Sequence, residues 1–234
     1  MDPLIAGLQG IVGDRHCLTG PDAAAPFLKD WRDLYHGRAR AIVLPETAEQ
    51  AQAVIRLARQ HQTPVVPQGG NTGLSGGATP DATGKAIVVA LKRMTKIRSL
   101  DPANNSLVAE AGCILADLQQ AAFDADRLFP LSLSAEGTCQ IGGNLATNAG
   151  GINVLRFGNA RELCLGLEAV LPDGTLFSHL SPLRKDNSGY DLKQLLIGSE
   201  GTLGIITAAA LKLFPKPVAR TTAIVTLGEI GKAV

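Results

Sequence analysis

Two glycine-rich segments are the places where this chain could bind a ligand. The first is PQGGNTGLSGG at 67–77, and the second is SAEGTCQIGGNLATNAGG at 134–151. Glycine lacks a Cβ, so its backbone can approach a ligand closely and turn successive N–H groups toward an anion. The first segment contains no lysine or arginine, and Asn71 and Thr72 add uncharged donors. It therefore indicates a phosphate site built from backbone amides, with a flexible turn between strands as the alternative.

The second segment combines small residues with side chains that form hydrogen bonds. Asn144, Thr147 and Asn148 can donate to or accept from the heteroatoms of a ring. Small residues around them favour a wall against which a flat ring lies. A tightly packed core loop, where small residues only allow close backbone contact, is the other interpretation.

Two common nucleotide motifs are excluded by inspection. The dinucleotide motif GxGxxG needs two glycines two positions apart, and no pair in this chain has that spacing. The P-loop motif GxxxxGK[ST] fails because Gly84-Lys85 and Gly231-Lys232 are each followed by alanine. Neither a standard Rossmann site nor a Walker site is therefore encoded.

The composition excludes several classes of protein. The chain has 234 residues, and a hydrophobic content of 45% supports a substantial core and rules out intrinsic disorder. Lys and Arg number 22 against 21 Asp and Glu, without a basic stripe, so we expect no nucleic-acid partner. No apolar run approaches the roughly 18–20 residues that span a bilayer, so we expect no transmembrane segment.

Cysteine and histidine positions give no metal motif. No two cysteines are closer than 25 residues, and no histidine pair has ligand spacing, so we expect no metal site. The N-terminal sequence lacks the basic region of a signal peptide. Reduced thiols in a cytoplasmic location are therefore predicted. The residues concerned are Cys17, Cys113, Cys139 and Cys164, and His16, His36, His61 and His179.

The first part of the chain reads as a βαβ unit. AIVL at 41–44 is a strand, Thr47 caps a helix that continues to about His61, and Val65-Val66 begins a second strand. The two strands should be parallel. A further strand, AIVVAL, is predicted at 86–91.

The remainder reads as strands that pair mostly antiparallel, with one longer helix. We predict strands at 97–101 and 106–112, a helix at 114–125, a hairpin at 163–177 and a strand at 201–215. The sequence therefore predicts the α+β class with two sub-domains. A small βαβ part occupies 1–92, and a larger, mostly antiparallel part with helices occupies 93–217.

Three blocks carry a resemblance to a known family: VVPQGGNTGLSGG at 65–77, the segment at 134–151, and KDNSGYDLKQLLIGSEGTLGIIT at 185–207. In order and spacing they resemble the FAD-binding domain of the vanillyl-alcohol oxidase / p-cresol methylhydroxylase (PCMH) flavoprotein superfamily. Within it the chain is similar to the FAD-linked D-2-hydroxyacid dehydrogenases, which act on D-2-hydroxyglutarate or D-lactate. The resemblance implies a PCMH-type fold with FAD between the two sub-domains.

The resemblance also implies which residues bind FAD. The pyrophosphate loop would comprise Pro67, Gln68, Gly69, Gly70, Asn71, Thr72, Gly73 and Leu74. The flavin and its ribityl chain would be lined by Pro130, Leu131, Gly137, Thr138, Ile141, Gly142, Asn144, Thr147, Asn148, Gly150 and Gly151. Glu200, Gly201 and Ile206 would lie near the adenosine half or the ring edge. Superfamily members that attach FAD covalently through this loop do so through a histidine, where this chain has Asn71, so we expect non-covalent FAD.

The activity that the resemblance implies is oxidation of a D-2-hydroxy acid to the 2-oxo acid by hydride transfer to flavin N5. The catalytic base and metal ligands would lie in a cap domain, of which 218–234 would be the beginning, with TAIVTL as its first strand. We therefore expect a fragment that is inactive alone, and we name no catalytic residue or electron acceptor.

Other functions stay open. A non-catalytic flavin-binding subunit whose partner chain supplies the substrate domain is the main alternative, and a homodimer through the missing half is also expected. A flavin-dependent reductase of an enolpyruvyl sugar nucleotide is a third, against which the block KDNSGYDLKQ argues.

Overall fold

A computed structural model describes residues 2–233; Met1 and Val234, at the outer ends of the predicted first and last segments, lie outside the described residues. The α-helices are α1 (Pro3–Val12), α2 (Pro21–Ala24), α3 (Ala48–Gln60), α4 (Leu115–Asp124), α5 (Ile141–Ala146), α6 (Val154–Phe157) and α7 (Lys193–Leu196). The strands are β1 (Cys17–Leu18), β2 (Ala41–Val43), β3 (Val65–Gln68), β4 (Ile87–Ala90), β5 (Ile97–Asp101), β6 (Ser106–Glu110), β7 (Arg127–Leu128), β8 (Cys164–Val170), β9 (Leu176–His179), β10 (Ile205–Lys212) and β11 (Phe214–Pro215). Short 3-10 helices lie at Asp14–His16, Ala25–Phe27 and Ile230–Ala233. The predicted α+β class is confirmed.

The first sheet is mixed and has the order β1-β2-β4-β3. β2 and β3 are parallel, as predicted, but they are not neighbours: β4 lies between them and is parallel to both. β1 pairs antiparallel with β2 at the edge. The βαβ connection therefore spans one strand position, and the space it leaves is filled by the strand that follows the first glycine segment.

Helix α3 forms for the reasons visible in the sequence. The Thr47 side chain accepts a hydrogen bond from the Gln50 N–H at 3.2 Å, which satisfies one of the free donors at the helix start. The Gln50 side chain in turn accepts from the Glu46 N–H at 2.8 Å. Val54 and Ile55 lie on the buried face and pack into the main core.

The parallel strands are buried on both faces, which explains their unbroken apolar sequences. Val43 and Val89 belong to the main hydrophobic cluster. Their neighbours Ile42 and Val88 point to the other face and join a smaller cluster that includes Phe27. The carboxyl ends of these strands are therefore held firmly, and the loops that follow them start from fixed positions.

The second sheet is antiparallel with the order β5-β6-β10-β8-β9. The hairpin between β8 and β9 closes through Leu171 N–H to the Thr175 carbonyl at 2.9 Å, with Gly174 at a positive φ of 81°. A small sheet of β7 and β11 completes the pairing. No helix within residues 2–233 has the length and apolar character needed to cross a membrane.

The two main sheets draw their strands from 17–90 and from 97–212. One hydrophobic cluster joins them, because it contains Val43 from the first sheet as well as Leu107 and Leu167 from the second. The division at 92–93 stays a prediction. The assignment of 218–234 to a cap also stays a prediction; residues 218–229 are exposed and contain none of the described strands.

A nearly buried ion cluster spans the second sheet. Glu110 on β6 and Glu168 on β8 both lie opposite Ala208 on β10, so the two carboxylates share one face. Arg98 on β5 pairs with both: two N–O distances of 3.1 Å join it to Glu168, and one of 3.3 Å joins it to Glu110. Thr207 donates its hydroxyl to Glu168 at 2.9 Å.

Replacing Arg98 should destabilise the fold, because it leaves two carboxylates in a largely buried position without their cation. We expect Arg98→Met to lower the free energy of unfolding by about 3 kcal/mol, measured by urea denaturation. Lys96→Met, at an exposed position two residues away, should change it by less than about 0.5 kcal/mol. Equal effects of the two substitutions would contradict a specific role for the ion cluster.

Candidate functional site

A cavity of about 500 Å³ lies where the two sheets meet. One wall is the loop after β3, and Leu91, directly after β4, adds to it. Helix α5 and the start of β10 form the opposite side. The crevice outside the carboxyl ends of parallel strands is the usual ligand position in open α/β sheets.

The loop after β3, which we call the glycine loop (residues 69–78), is held at its base by Gln68. The Gln68 amide is buried and donates to the Phe27 carbonyl at 3.0 Å and to the Ala78 carbonyl at 2.8 Å, so it joins the two ends of the loop. Among the described residues, no backbone N–H of residues 70–75 donates to a protein acceptor. Backbone N–H groups are strong donors, and this run is free to bind an acceptor in the cavity.

Gly70 is required by contact between the two glycine-rich segments. A Cβ at Gly70 would lie 2.3 Å from the Thr138 carbonyl oxygen and 3.0 Å from the Cys139 Cα. Both of these are backbone atoms that cannot move aside easily. The interpretation of this glycine as one that only permits ligand approach is therefore incomplete, because it also brings the two segments together.

Two polar side chains of the cavity wall have atoms without a partner. Gln140 and Asn144 are 7% and 6% exposed, and within the described part of the chain Gln140 Oε1 and Asn144 Oδ1 accept no hydrogen bond. A buried polar atom left unpaired costs about 1–3 kcal/mol, so these two atoms indicate a ligand that satisfies them. Glu200 is the one charged residue in the described lining.

The structure brings together 14 of the predicted site residues in the cavity wall. These are Pro67, Gln68, Gly69, Gly70, Asn71, Thr72, Gly73, Leu74, Gly142, Asn144, Thr147, Glu200, Gly201 and Ile206. They come from three separate stretches of sequence, which the close contact at Gly70 and the packing of α5 on β10 place side by side.

The other eight predicted residues do not line the cavity. They are Pro130, Leu131, Gly137, Thr138, Ile141, Asn148, Gly150 and Gly151. Ile141 is fully buried in the core, and Asn148 accepts from the Arg161 N–H at 3.0 Å. At Gly151, with φ 134°, a Cβ would lie 2.1 Å from the Ser132 carbonyl oxygen. Their assignment to the cofactor stays a prediction.

The lining also includes residues that the sequence reasoning missed. They are Ser75, Gly77, Ala78, Leu91, Leu133, Ser134, Ala135, Cys139, Gln140, Gly143, Ala146, Ala149, Gly204 and Ile205. Most lie within the quoted blocks, so proximity in sequence could have included them. Leu91 had no such signal, because its place in the cavity depends on how β4 pairs.

Other polar residues considered from the sequence lie elsewhere. Arg161 donates to the carbonyls of Gln194 at 2.7 Å and Ile197 at 2.5 Å, which is a structural role. Asp186 lies at a second cavity of about 490 Å³, where hydrogen bonds from Ser188 and from His179 lower its pKa to about 2. Within residues 2–233, no three His, Cys, Asp or Glu side chains are grouped so that they could hold a metal ion.

Comparison with known proteins decides the family. Residues 39–179 match the model of the FAD binding domain, which is more than half of the chain. The chain belongs to the FAD-binding domain family. FAD is therefore its cofactor, as the resemblance implied.

Curated relatives narrow the similarity. The chain is 44% identical to D-2-hydroxyglutarate dehydrogenase, mitochondrial, of Bos taurus over 213 residues, which is 91% of this chain and 39% of that protein. It is 41% identical to D-2-hydroxyglutarate dehydrogenase of Xanthomonas citri, with 92% of this chain and 45% of that protein covered. The FAD-binding chain thus spans less than half the length of these relatives.

Solved structures show the same fold. Alkyldihydroxyacetonephosphate synthase superposes with a TM-score of 0.83 at 21% identity, covering 94% of this chain and 41% of the other. p-Cresol methylhydroxylase with substrate bound superposes with a TM-score of 0.75 at 24% identity, covering 92% and 44%. The predicted PCMH-type fold is confirmed.

The expected cytoplasmic location was wrong. The relatives from Bos taurus, Rattus norvegicus and Arabidopsis thaliana are all named as mitochondrial proteins. Buried, unpaired cysteines carried the expectation, and such thiols do not distinguish between compartments that keep thiols reduced.

The contact at Gly70 predicts a loss of stability. Gly70→Ala places a Cβ against backbone, so we expect the free energy of unfolding to fall by about 1–3 kcal/mol in urea denaturation. Gly143→Ala is the matched control, because a Cβ at this helical position meets nothing within 4 Å. It should raise stability by about 0.5 kcal/mol. A Gly70→Ala variant as stable as the parent would refute the close packing.

Proposed function

We propose that the cavity between the two sheets binds FAD and that the chain is the FAD-binding portion of a D-2-hydroxyacid dehydrogenase. Its substrate would be a small D-2-hydroxy acid such as D-2-hydroxyglutarate or D-lactate, oxidised to the 2-oxo acid. The single observation that carries the assignment of the site is the run of free N–H groups at 70–75, which faces the unpaired Gln140 and Asn144 oxygens across one cavity.

The free N–H groups fit a pyrophosphate. They are numerous and adjacent, and no lysine or arginine lies in the described lining to compete for the anion. Backbone amides of such a loop bind phosphate through their aligned dipoles. The oxygens of Gln140 and Asn144 are acceptors, so they fit donor groups of the cofactor such as ribityl hydroxyls or the N–H of the flavin ring.

When bound, FAD supplies a hydride acceptor at flavin N5. The chain contributes binding and orientation: the glycine loop holds the anionic part, and α5 with Ile205 and Ile206 forms an apolar wall that excludes water. The catalytic base, the metal ligands and the groups that select the hydroxy acid would lie in the part of the relatives that this chain does not span. We also propose the division at 1–92, 93–217 and 218–234.

Non-covalent binding is supported by the lining. Covalent attachment through the glycine loop needs a nucleophilic side chain, and that loop has Asn71 at the position in question. The described lining contains no histidine or tyrosine, and its one cysteine is Cys139. Burial raises the pKa of the Cys139 thiol, which keeps it protonated and a poor nucleophile.

Retention of flavin tests the proposed site. The purified chain, mixed with FAD and passed through a desalting column, should keep the visible flavin absorption band. Gly143→Leu should weaken FAD binding by about tenfold or more, because the side chain grows into space that no protein atom occupies within 4 Å of a Cβ. Its matched control is Gly10→Leu on α1, a helical glycine with equally open surroundings outside the cavity.

The control should bind FAD as the parent does. A parent chain that retains no flavin would contradict the FAD site, and equal affinity of parent and Gly143→Leu would place FAD elsewhere on the chain.

Denaturation tests the mode of attachment. After precipitation of the FAD-loaded chain with acid, the yellow flavin should remain in the supernatant, since neither Asn71 nor the protonated Cys139 thiol forms a bond to it. Flavin absorption in the washed pellet would show covalent attachment and refute this prediction.

A further inference from the structure

We propose that Asn71 is a positioning residue whose side chain does not bind the cofactor but fixes the glycine loop to a neighbouring loop at 29–37. We call this neighbour the flank loop. The inference rests on the proposed FAD site, and it assigns a function to a part of the chain in which no sequence motif appears.

The contact itself is short and specific. The Asn71 side-chain Nδ2 donates to the Lys29 carbonyl oxygen at 2.7 Å. Asn71 has a positive φ of 53°, a conformation that asparagine tolerates better than most residues. The side chain is thus occupied by the flank loop, and the group that Asn71 leaves free is its backbone N–H.

The flank loop is rigid enough to act as an anchor. Asp30 is 3% exposed, and its carboxylate accepts the N–H groups of Arg32 at 3.1 Å and of Leu34 and Tyr35 at 2.7 Å each. Lys29 and His36 form an antiparallel bridge across the loop. These bonds lie within the flank loop, so its shape does not depend on the glycine loop.

A second contact lies further along the glycine loop. The Tyr35 ring packs against Gly76, where a Cβ would be 2.5 Å from Tyr35 Cδ2 and where φ is 75°. The flank loop therefore holds the glycine loop at Asn71 and at Gly76, and the free N–H groups of 72–75 lie between these two points.

Holding the loop in advance lowers the entropy lost on binding. A loop that is already ordered loses less conformational freedom when a ligand binds, so affinity is higher. Without the Asn71–Lys29 bond, the glycine loop would be fixed only at Gln68 and Gly76, and its N–H groups would have to be ordered by the ligand.

Two measurements on the same variants test this positioning role. Asn71→Ala and Asn71→Gly both remove the donor, and glycine also keeps the positive φ without strain. We expect each to raise the Kd for FAD about fivefold, the loss of one hydrogen bond. In the FAD-free protein, hydrogen exchange of the peptide covering 29–37 should become about fivefold faster.

The matched control is Asn105→Ala. Asn105 has φ 50° in the turn between β5 and β6, outside the cavity lining, so it costs the same backbone strain without touching the glycine loop. It should leave both the Kd and the exchange of 29–37 unchanged. If Asn71→Ala fails to fold, Asn71→Gly carries the test alone.

The outcomes separate the alternatives. A higher Kd with unchanged exchange would make Asn71 a direct ligand of FAD and overturn the proposal. Faster exchange with an unchanged Kd, or no change in either, would also overturn it, since the link would then not position the loop. Failure of the parent chain to bind FAD would instead contradict the proposed function.

Discussion

The cavity depends on close contact between two glycine-rich segments that are nearly seventy residues apart. Gly70 lies so near the backbone at Thr138 and Cys139 that no other residue type leaves the contact intact. One segment begins at the end of a buried parallel strand, and the other leads into α5, which packs on the antiparallel sheet. Their contact therefore sets the distance between the two sheets at the cavity.

The chemistry of the cavity follows from what that contact leaves unpaired. Backbone N–H groups at 70–75 have no acceptor among the described residues, and Gln140 and Asn144 have unpaired oxygens. In most of a folded protein such groups are satisfied internally. Here they are concentrated on two walls of one cavity with a single charged residue, so the site recognises a ligand by dipoles and shape. Such recognition depends on groups held in place beforehand, which gives the flank loop its importance.

Around this site the rest of the fold is arranged as support. The parallel strands are covered on both faces, and the main hydrophobic cluster continues from them into the second sheet. The ion cluster of Arg98, Glu110 and Glu168 joins three strands on the other side of that sheet, and Thr207, next to the lining residue Ile206, donates to it. Similarity to D-2-hydroxyglutarate dehydrogenases covers this cofactor-binding part, which is less than half of those proteins.

The sequence by itself determined the elements and the motifs. Periodicity, the Thr47 cap and the turn at Gly174 predicted α3, the βαβ strands and the hairpin, because these depend on interactions between residues close in sequence. The glycine blocks likewise located most of the cavity wall. Only the tertiary structure decided that β4 lies between β2 and β3, that Leu91 and Gln140 line the cavity, and that Asn71 bonds to Lys29. Each of these is a contact between distant segments, and no local pattern of residue types specifies which distant backbone a side chain will meet.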